Sequence, residues 1–198
     1  MTNKGDLTRQ NIIDNSLQLF SVKGFYNTSI NDIMETTGLT KGGLYAHFGS
    51  KEDIWYSVYD MAVRIWKDIV FKNTKDVKNP LERLEKLIVN DIKLYLGGNV
   101  FEGGCFFLNM LVELSGQSPT MSKHILQGFI KFSRLIKSWL SEAQEKGILK
   151  DNLNLKEISN FIVITLNGAA AIYASSRDAA ILNQTVDQLR FYLNQLKK

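Results

Sequence analysis

Residues Thr40-Lys41-Gly42-Gly43-Leu44-Tyr45-Ala46-His47-Phe48 hold the side chains best suited to gripping a partner in this 198-residue chain. Lys41, Tyr45 and His47 each carry a hydrogen-bond donor able to meet a phosphate oxygen or a base edge. Leu44 and Phe48, four apart, would share the opposite, apolar face of a helix. Gly42 and Gly43 each cost a helix about 1 kcal/mol relative to alanine, so stability alone does not select them. Glycine instead lets backbone come close to a base pair or a phosphate. Just beyond, Ser50 and Lys51 offer amides and a cation suited to a further phosphate. Thr28, upstream, is placed for a similar contact.

Such donors need a scaffold to aim them. Ser29 to Phe48 reads as a short helix, a glycine turn and a second short helix. Ser29-x-x-Asp32 is a capping-box-like start, and Ile30, Ile33 and Met34 form the inner face behind it. Gly38 falls where the chain must turn, with positive φ expected. Thr40 then caps the reading helix. Ahead of this pair, Ile13, Leu17 and Phe20, flanked by Ile12 and Leu19, follow a 3.6-residue period, with Thr8 as N-cap and Gly24 as stop.

The rest of the chain is also helical. Ser50-x-x-Asp53 starts a fourth helix expected to reach about Thr74 and to carry Trp55, Val58, Tyr59, Ala62 and Trp66. Asn79-Pro80, with Glu82 at the third position, opens a fifth that ends near Gly97-Gly98. Cys105–Ser115 is a sixth, Ser118-Pro119 starts a seventh that stops at Gly147, and Asn154-x-x-Glu157 caps an eighth reaching about Ser176. In the last, Leu182, Val186, Leu189, Leu193 and Leu196 make one apolar seam. The expected fold is all-α, with about nine helices. Residues 1–52 form a three-helix head, and residues 53–198 form a larger helical body joined to it without a flexible linker.

The residues Gly24-Phe25-x-x-Thr28-Ser29-Ile30-x-x-Ile33, followed by Thr36-Thr37-Gly38-Leu39-Thr40-Lys41-Gly42-Gly43-Leu44-Tyr45-x-His47-Phe48-x-Ser50-Lys51-Glu52, closely resemble the TetR family of transcriptional regulators. The resemblance covers about the first 55 residues. It implies that Thr40, Lys41, Tyr45, His47 and Lys51 contact double-stranded operator DNA and that Gly42 permits close approach. Gly43 departs from the threonine, serine or alanine common in relatives and offers no side chain for a base contact.

The resemblance further implies that the body binds a small effector and pairs two chains, and that the protein is commonly a repressor. An effector cavity needs apolar walls with a few convergent polar groups. Gly103–Leu114 is the expected wall, with Cys105, Phe106 and Met110 beside Asn109 and Glu113, which lie four apart on one face. Trp66, Tyr95, Phe129 and Tyr173 are candidate aromatic walls, and Glu113, if buried, demands a partner. Cys105 is a candidate thiol sensor, or simply a small core residue. For pairing, Leu166 and Ala170 among the small residues of the eighth helix, with Leu182, Val186, Leu189, Leu193 and Leu196, suit a four-helix bundle between subunits.

Composition narrows the function class. At 44% hydrophobic and 22% charged residues the chain suits a globular protein. Net charge is +4, yet residues 1–52 hold five cations (Lys4, Arg9, Lys23, Lys41, Lys51) against five acids (Asp6, Asp14, Asp32, Glu35, Glu52). DNA binding would therefore rest on a few placed cations and not on a basic coat. A lone cysteine excludes an intrachain disulfide and agrees with a cytoplasmic setting. No signal peptide and no 18-residue uncharged apolar run are expected, hence no membrane span. His47 and His124 stand apart, no zinc spacing exists, and neither a phosphate loop nor a Gly-x-Ser-x-Gly elbow is present. Neither a metal or cofactor nor an enzyme activity is expected. A helical ligand-binding module without DNA binding and a helical enzyme stay open as alternatives, as does activation in place of repression.

Overall fold

The computed structural model describes residues 4–198. It places nine α-helices in chain order: α1 (Lys4–Lys23), α2 (Ile30–Thr37), α3 (Lys41–Tyr45), α4 (Lys51–Val70), α5 (Pro80–Val89), α6 (Phe106–Leu114), α7 (Pro119–Glu145), α8 (Leu155–Ser176) and α9 (Ala179–Gln195). A π-helical turn, Asn90–Leu96, continues α5. Among the described residues there is no strand, only an isolated bridge between Leu149 and Lys197. The fold is all-α.

Local chemistry explains most of the helix ends. Ser29 accepts from the Asp32 amide while Asp32 accepts from the Ser29 amide, a reciprocal capping box. Thr40 accepts from the Gly43 amide, Ser50 from Asp53, Asn79 from Leu81 and Glu82, and Asn154 from Glu157. Gly38 closes α2 with φ 69°, in the left-handed region where glycine bears no Cβ penalty. Two ends differ from expectation. Thr8 is not the α1 cap, because its hydroxyl donates back to the Lys4 carbonyl one turn earlier inside the helix. α4 stops at Val70, four residues before Thr74, whose hydroxyl closes a turn onto Phe71.

Ile12, Ile13, Leu17 and Phe20 of α1 pack with Ile33, Leu44 and Phe48, so the first three helices share one buried centre. Each such side chain contributes about 1.5–3 kcal/mol on burial. α4 packs along α1 at one end and along the π-helical turn at the other, which makes it common to head and body. In the body α7 lies against α5, α6 and α8, and α9 lies against α5 and α8.

One expectation about the chain's apolar runs is corrected. From Ile158 to Ser176 no charged residue occurs, and α8 is long and apolar enough to cross a membrane by length and composition. Its packing gives that composition another account. Ile162, Val163, Leu166 and Ala170 are buried against neighbouring helices, while Phe161, Ile164 and Ile172 face outward.

Candidate functional site

α3 stands at the surface with its chemistry facing away from the core. Leu44 is fully buried and anchors it, while Lys41 and Tyr45 are exposed, Tyr45 by 43%. His47 is half-buried in the turn after the helix. A Cβ placed on Gly42 would meet nothing within 4 Å, so the bare backbone there faces open space. At Gly43 a Cβ would lie 3.4 Å from Thr40 Oγ1, ordinary contact, so the absent side chain is not demanded by internal packing. Thr40 is exposed but its hydroxyl already holds the Gly43 amide at 3.2 Å. Ser50 likewise caps α4, accepting from Asp53 at 3.0 Å.

Two residues grouped with these by sequence do different work. Thr28 is fully buried and its hydroxyl donates to the Gly24 carbonyl at 2.7 Å, so its side chain does not reach a partner at the surface. Lys51 turns inward. Its Nζ donates to the carbonyls of Phe25 and Thr28, each at 2.9 Å, and lies 4.2 Å from the centre of the Phe25 ring. Burial pushes its pKa below the usual lysine range. This ammonium closes the α1–α2 turn and is not a free phosphate contact.

The same turn is held from the other side by the body. Glu113, on α6, accepts hydrogen bonds from the amides of Phe25 and Tyr26 at 2.9 and 2.8 Å. Gly24 has φ 83°, and a Cβ there would sit 2.6 Å from Glu113 Oε2. Gly103, in the loop before α6, presses on the end of α1 so tightly that a Cβ would lie 1.8 Å from the Ser21 carbonyl oxygen. Glu113 was expected in a ligand cavity. Glu113 is half-buried, and its partner is the head.

The cavity itself lies deeper, between α4, the π-helical turn, α6, α7 and α8, with a volume of about 560 Å³. Trp66, Tyr95, Cys105 and Phe129 line it as expected; Phe106, Asn109, Met110, Glu113 and Tyr173 do not. Phe106 is fully buried in the core, Met110 receives the Trp55 indole N–H, and Asn109 donates to the Gly103 carbonyl at 2.7 Å. Tyr173 sits under the Arg177 guanidinium, 5.9 Å from its ring centre. Within α6 helical phase decides the outcome: Phe107 faces the cavity, Phe106 and Met110 the core, and Glu113 the head.

Phe107, within the expected Gly103–Leu114 wall, also lines the cavity, whereas sequence reasoning missed Asp91, Tyr59, Phe132, His124 and Asn167, all of which line it too. Asp91 is the most telling. It is 7% exposed, and its Oδ1 accepts from Trp66 Nε1 at 2.8 Å. Burial pushes its pKa up to about 6, against the opposing pull of that hydrogen bond. The signal was an acid inside the apolar run Leu87-Ile88-Val89-Asn90-Asp91-Ile92. The π-helical turn places Asp91 and Tyr95 together on the cavity wall, and such turns often accompany functional sites. Tyr95 donates to Cys105 Sγ at 3.7 Å. Burial raises the Cys105 pKa to about 11, so the thiol stays protonated and is a poor nucleophile.

The apolar seam of α9 is also reassigned. Leu182, Val186, Leu189, Leu193 and Leu196 are all buried within this one chain, and α9 packs on α5 and α8. Leu166 and Ala170 line the cavity. On α8 and α9 the large apolar side chains left outside are Ile164 (69% exposed), Phe191 (61%), Ile172 (56%) and Phe161 (46%). On α8 the three fall at positions 161, 164 and 172, one face of the helix, and a Cβ on neighbouring Gly168 would meet nothing within 4 Å.

The comparisons agree with this geometry. Residues 12–55 match the family described as bacterial regulatory proteins, tetR family, and residues 80–189 match the tetracyclin repressor-like C-terminal domain. The chain is 27% identical to an HTH-type transcriptional regulator of the lacX 3' region of Lactococcus lactis subsp. lactis over 92% of its own length and 91% of the relative's. It is 24% identical to the HTH-type transcriptional repressor DhaR of Mycobacterium sp. (strain GP1), covering 89% of this chain and 87% of that one. The crystal structure of a TetR-family transcriptional regulator from Cytophaga hutchinsonii superimposes with a TM-score of 0.88 at 22% identity, over 100% of this chain and 98% of that one, which supports the fold. With both halves of the chain matched and a helix-turn-helix presenting Lys41 and Tyr45, the protein belongs to the TetR family of DNA-binding transcriptional regulators.

Proposed function

We propose that two copies of this chain form a cytoplasmic homodimeric repressor released from its operator by a small molecule held in the 560 Å³ cavity. Residues 1–52 act as the reading head and residues 53–198 as the effector-binding and pairing body. Each α3 enters a major groove of a pseudo-palindromic site, with half-sites centred about 34 Å apart or a multiple of it. Lys41, Tyr45 and His47 supply the contacts, and Gly42 allows close approach. Repression as the sign of control follows the name of the Mycobacterium relative.

Pairing is assigned to the outward stripe of α8, with Phe191 of α9 beside it. Four large apolar side chains in the open are a burden on a free chain, and a symmetric partner covers them with the same residues. Gly168 lets the two α8 helices approach.

One observation carries the effector reading: α6 touches both sites. Phe107 lines the cavity, and Glu113, less than two turns along, holds the Phe25 and Tyr26 amides of the head. α4 gives a second path, since Trp66 lines the cavity and Ser50 caps the helix beside α3. A ligand that moves α6 or α4 shifts the head, and it lowers DNA affinity only if it binds the displaced form better. DNA must then weaken ligand binding by the same factor. The test is to select duplexes from a random library and titrate the resulting complex with metabolite fractions retained by the protein. Release by a retained compound supports the account; indifference to every compound that occupies the cavity contradicts it.

A further inference from the structure

Aromatic rings dominate the cavity wall, among them Tyr59, Trp66, Phe71, Phe107 and Phe132, and one buried carboxylate closes its floor. Trp66 meets Phe132 edge to face at 5.0 Å and Phe71 at 5.8 Å between centres, which fixes the rings relative to one another. The carboxylate is Asp91. Among the described residues its hydrogen-bond donor is the neutral indole of Trp66, and no ion pair reaches it. A buried carboxylate with one neutral donor is poorly compensated. Of the other less exposed polar groups that line the cavity, Tyr95 and Cys105 are occupied with each other, and Asn167 donates to the Val163 carbonyl of its own helix.

Charge at the rim does not answer it. Asp60, Lys67, His124 and Lys131 line the cavity but stand exposed, where solvent and salt screen any charge they carry. The floor therefore sets the charge of what binds. A cation among aromatic faces gains from their quadrupoles as well as from the carboxylate.

Resting on the reading of this cavity as the effector site, we infer that its ligand is an organic cation, a protonated amine or guanidinium on an apolar or aromatic frame, with the charged nitrogen on Asp91. Asp91 is a binding residue, and Trp66 both orients it and forms part of the aromatic wall.

The test uses three probes of one shape at pH 7.5, titrated calorimetrically into the full-length protein: 2-(2-naphthyl)ethylamine, 2-(2-naphthyl)ethanol and 3-(2-naphthyl)propionate. The amine is expected to bind about tenfold or more tightly than the alcohol, with the acid weakest. In Asp91→Asn the amine and alcohol should converge to within about threefold. An alcohol or acid that matches the amine overturns the cation assignment and leaves the cavity reading standing. So does an amine preference that survives in Asp91→Asn. Binding by none of the three overturns both. If the amine binds through Asp91 yet leaves DNA affinity unchanged, the cation assignment holds and the effector reading fails. The comparison in the unmodified protein decides the class even if the variant misfolds.

Discussion

The Glu113 carboxylate on α6 accepts the Phe25 amide at 2.9 Å, across 88 residues of sequence, and so joins the cavity helix to the turn that leads into the reading head. The Tyr26 amide completes the pair at 2.8 Å. Charge-assisted hydrogen bonds of this kind contribute roughly 1.5–3 kcal/mol each when shielded, and less here because Glu113 is only half-buried.

Glu113→Ala should therefore cost about 1–2 kcal/mol of stability. Its larger effect should be on communication. Affinity of the unliganded protein for DNA should change little, while the ratio of affinities with and without ligand should shrink by about fivefold, on the scale of ordinary coupling energies. Anisotropy titrations with labelled duplex, with and without a cavity ligand, measure that ratio. An unchanged ratio would move the coupling path to α4.

Lys51→Met should act as a folding lesion more than as a DNA lesion. Two carbonyls, on Phe25 and Thr28, lose their shared ammonium, at a cost of about 2 kcal/mol. The salt dependence of DNA binding, measured by titration from low to moderate ionic strength, should keep its slope, because no phosphate contact is removed. A slope reduced by about one with unaltered urea unfolding would restore Lys51 to the DNA surface.

Tyr45→Ala and Lys41→Ala should each weaken selected duplexes by about 1–3 kcal/mol. Both side chains are exposed, so thermal unfolding should stay near that of the parent. Unaltered affinity in both variants would mean α3 is not the reading helix.

Asp91 gives a pH signature with a definite sign. Its folded pKa of about 6 lies above the ordinary carboxylate value of 3.8, so between those limits the folded chain binds more protons than the unfolded one. Stability from this group is present below pH 4 and declines as pH rises through 6. The loss is about 3 kcal/mol from the two-unit shift. Asp91→Asn should abolish that decline and be more stable than the parent at pH 8. Urea melts of both proteins at pH 5 and pH 8 measure it by difference, which removes the opposite trends of Asp32 and Glu142. Equal pH dependence in both would show that Asp91 is not a buried charge.

The head was readable in detail because its determinants are local. Ser29 with Asp32, Gly38, Thr40 and Ser50 act within three or four residues, and helix period places Leu44 inward and Tyr45 outward without further knowledge. The body was readable as helices and in part of its cavity wall, at Trp66, Tyr95, Cys105 and Phe129. Whether the apolar seam of α9 meets its own chain or a second one depends on where α5 and α8 lie, and the Leu182–Leu196 seam looks the same in either case. Asp91 escaped for a related reason. Its position in the cavity depends on a π-helical turn that shifts the register after Val89, and a 3.6-residue period does not foresee that shift. Glu113 was singled out by its chemistry, yet only tertiary structure could show that its partner is backbone 88 residues earlier.

Ile164→Glu places a charge in the middle of the proposed pairing stripe, at a position 69% exposed in one chain. Folding should be intact within about 0.5 kcal/mol, as for ordinary surface changes. Sedimentation equilibrium should show the parent as a dimer and the variant as a monomer. A parent that is itself monomeric would remove the outward face of α8 from the interface.

Selection of double-stranded DNA from a random library by the full-length protein, followed by sedimentation of the bound complex, bears most directly on paired α3 helices reading successive major grooves. The expected outcome is an inverted repeat with half-sites one helical turn, about 34 Å, or a multiple apart, bound by an even number of chains and lost in Tyr45→Ala. Recovery of no preferred duplex, or of an unrepeated site held by a single chain, would contradict it.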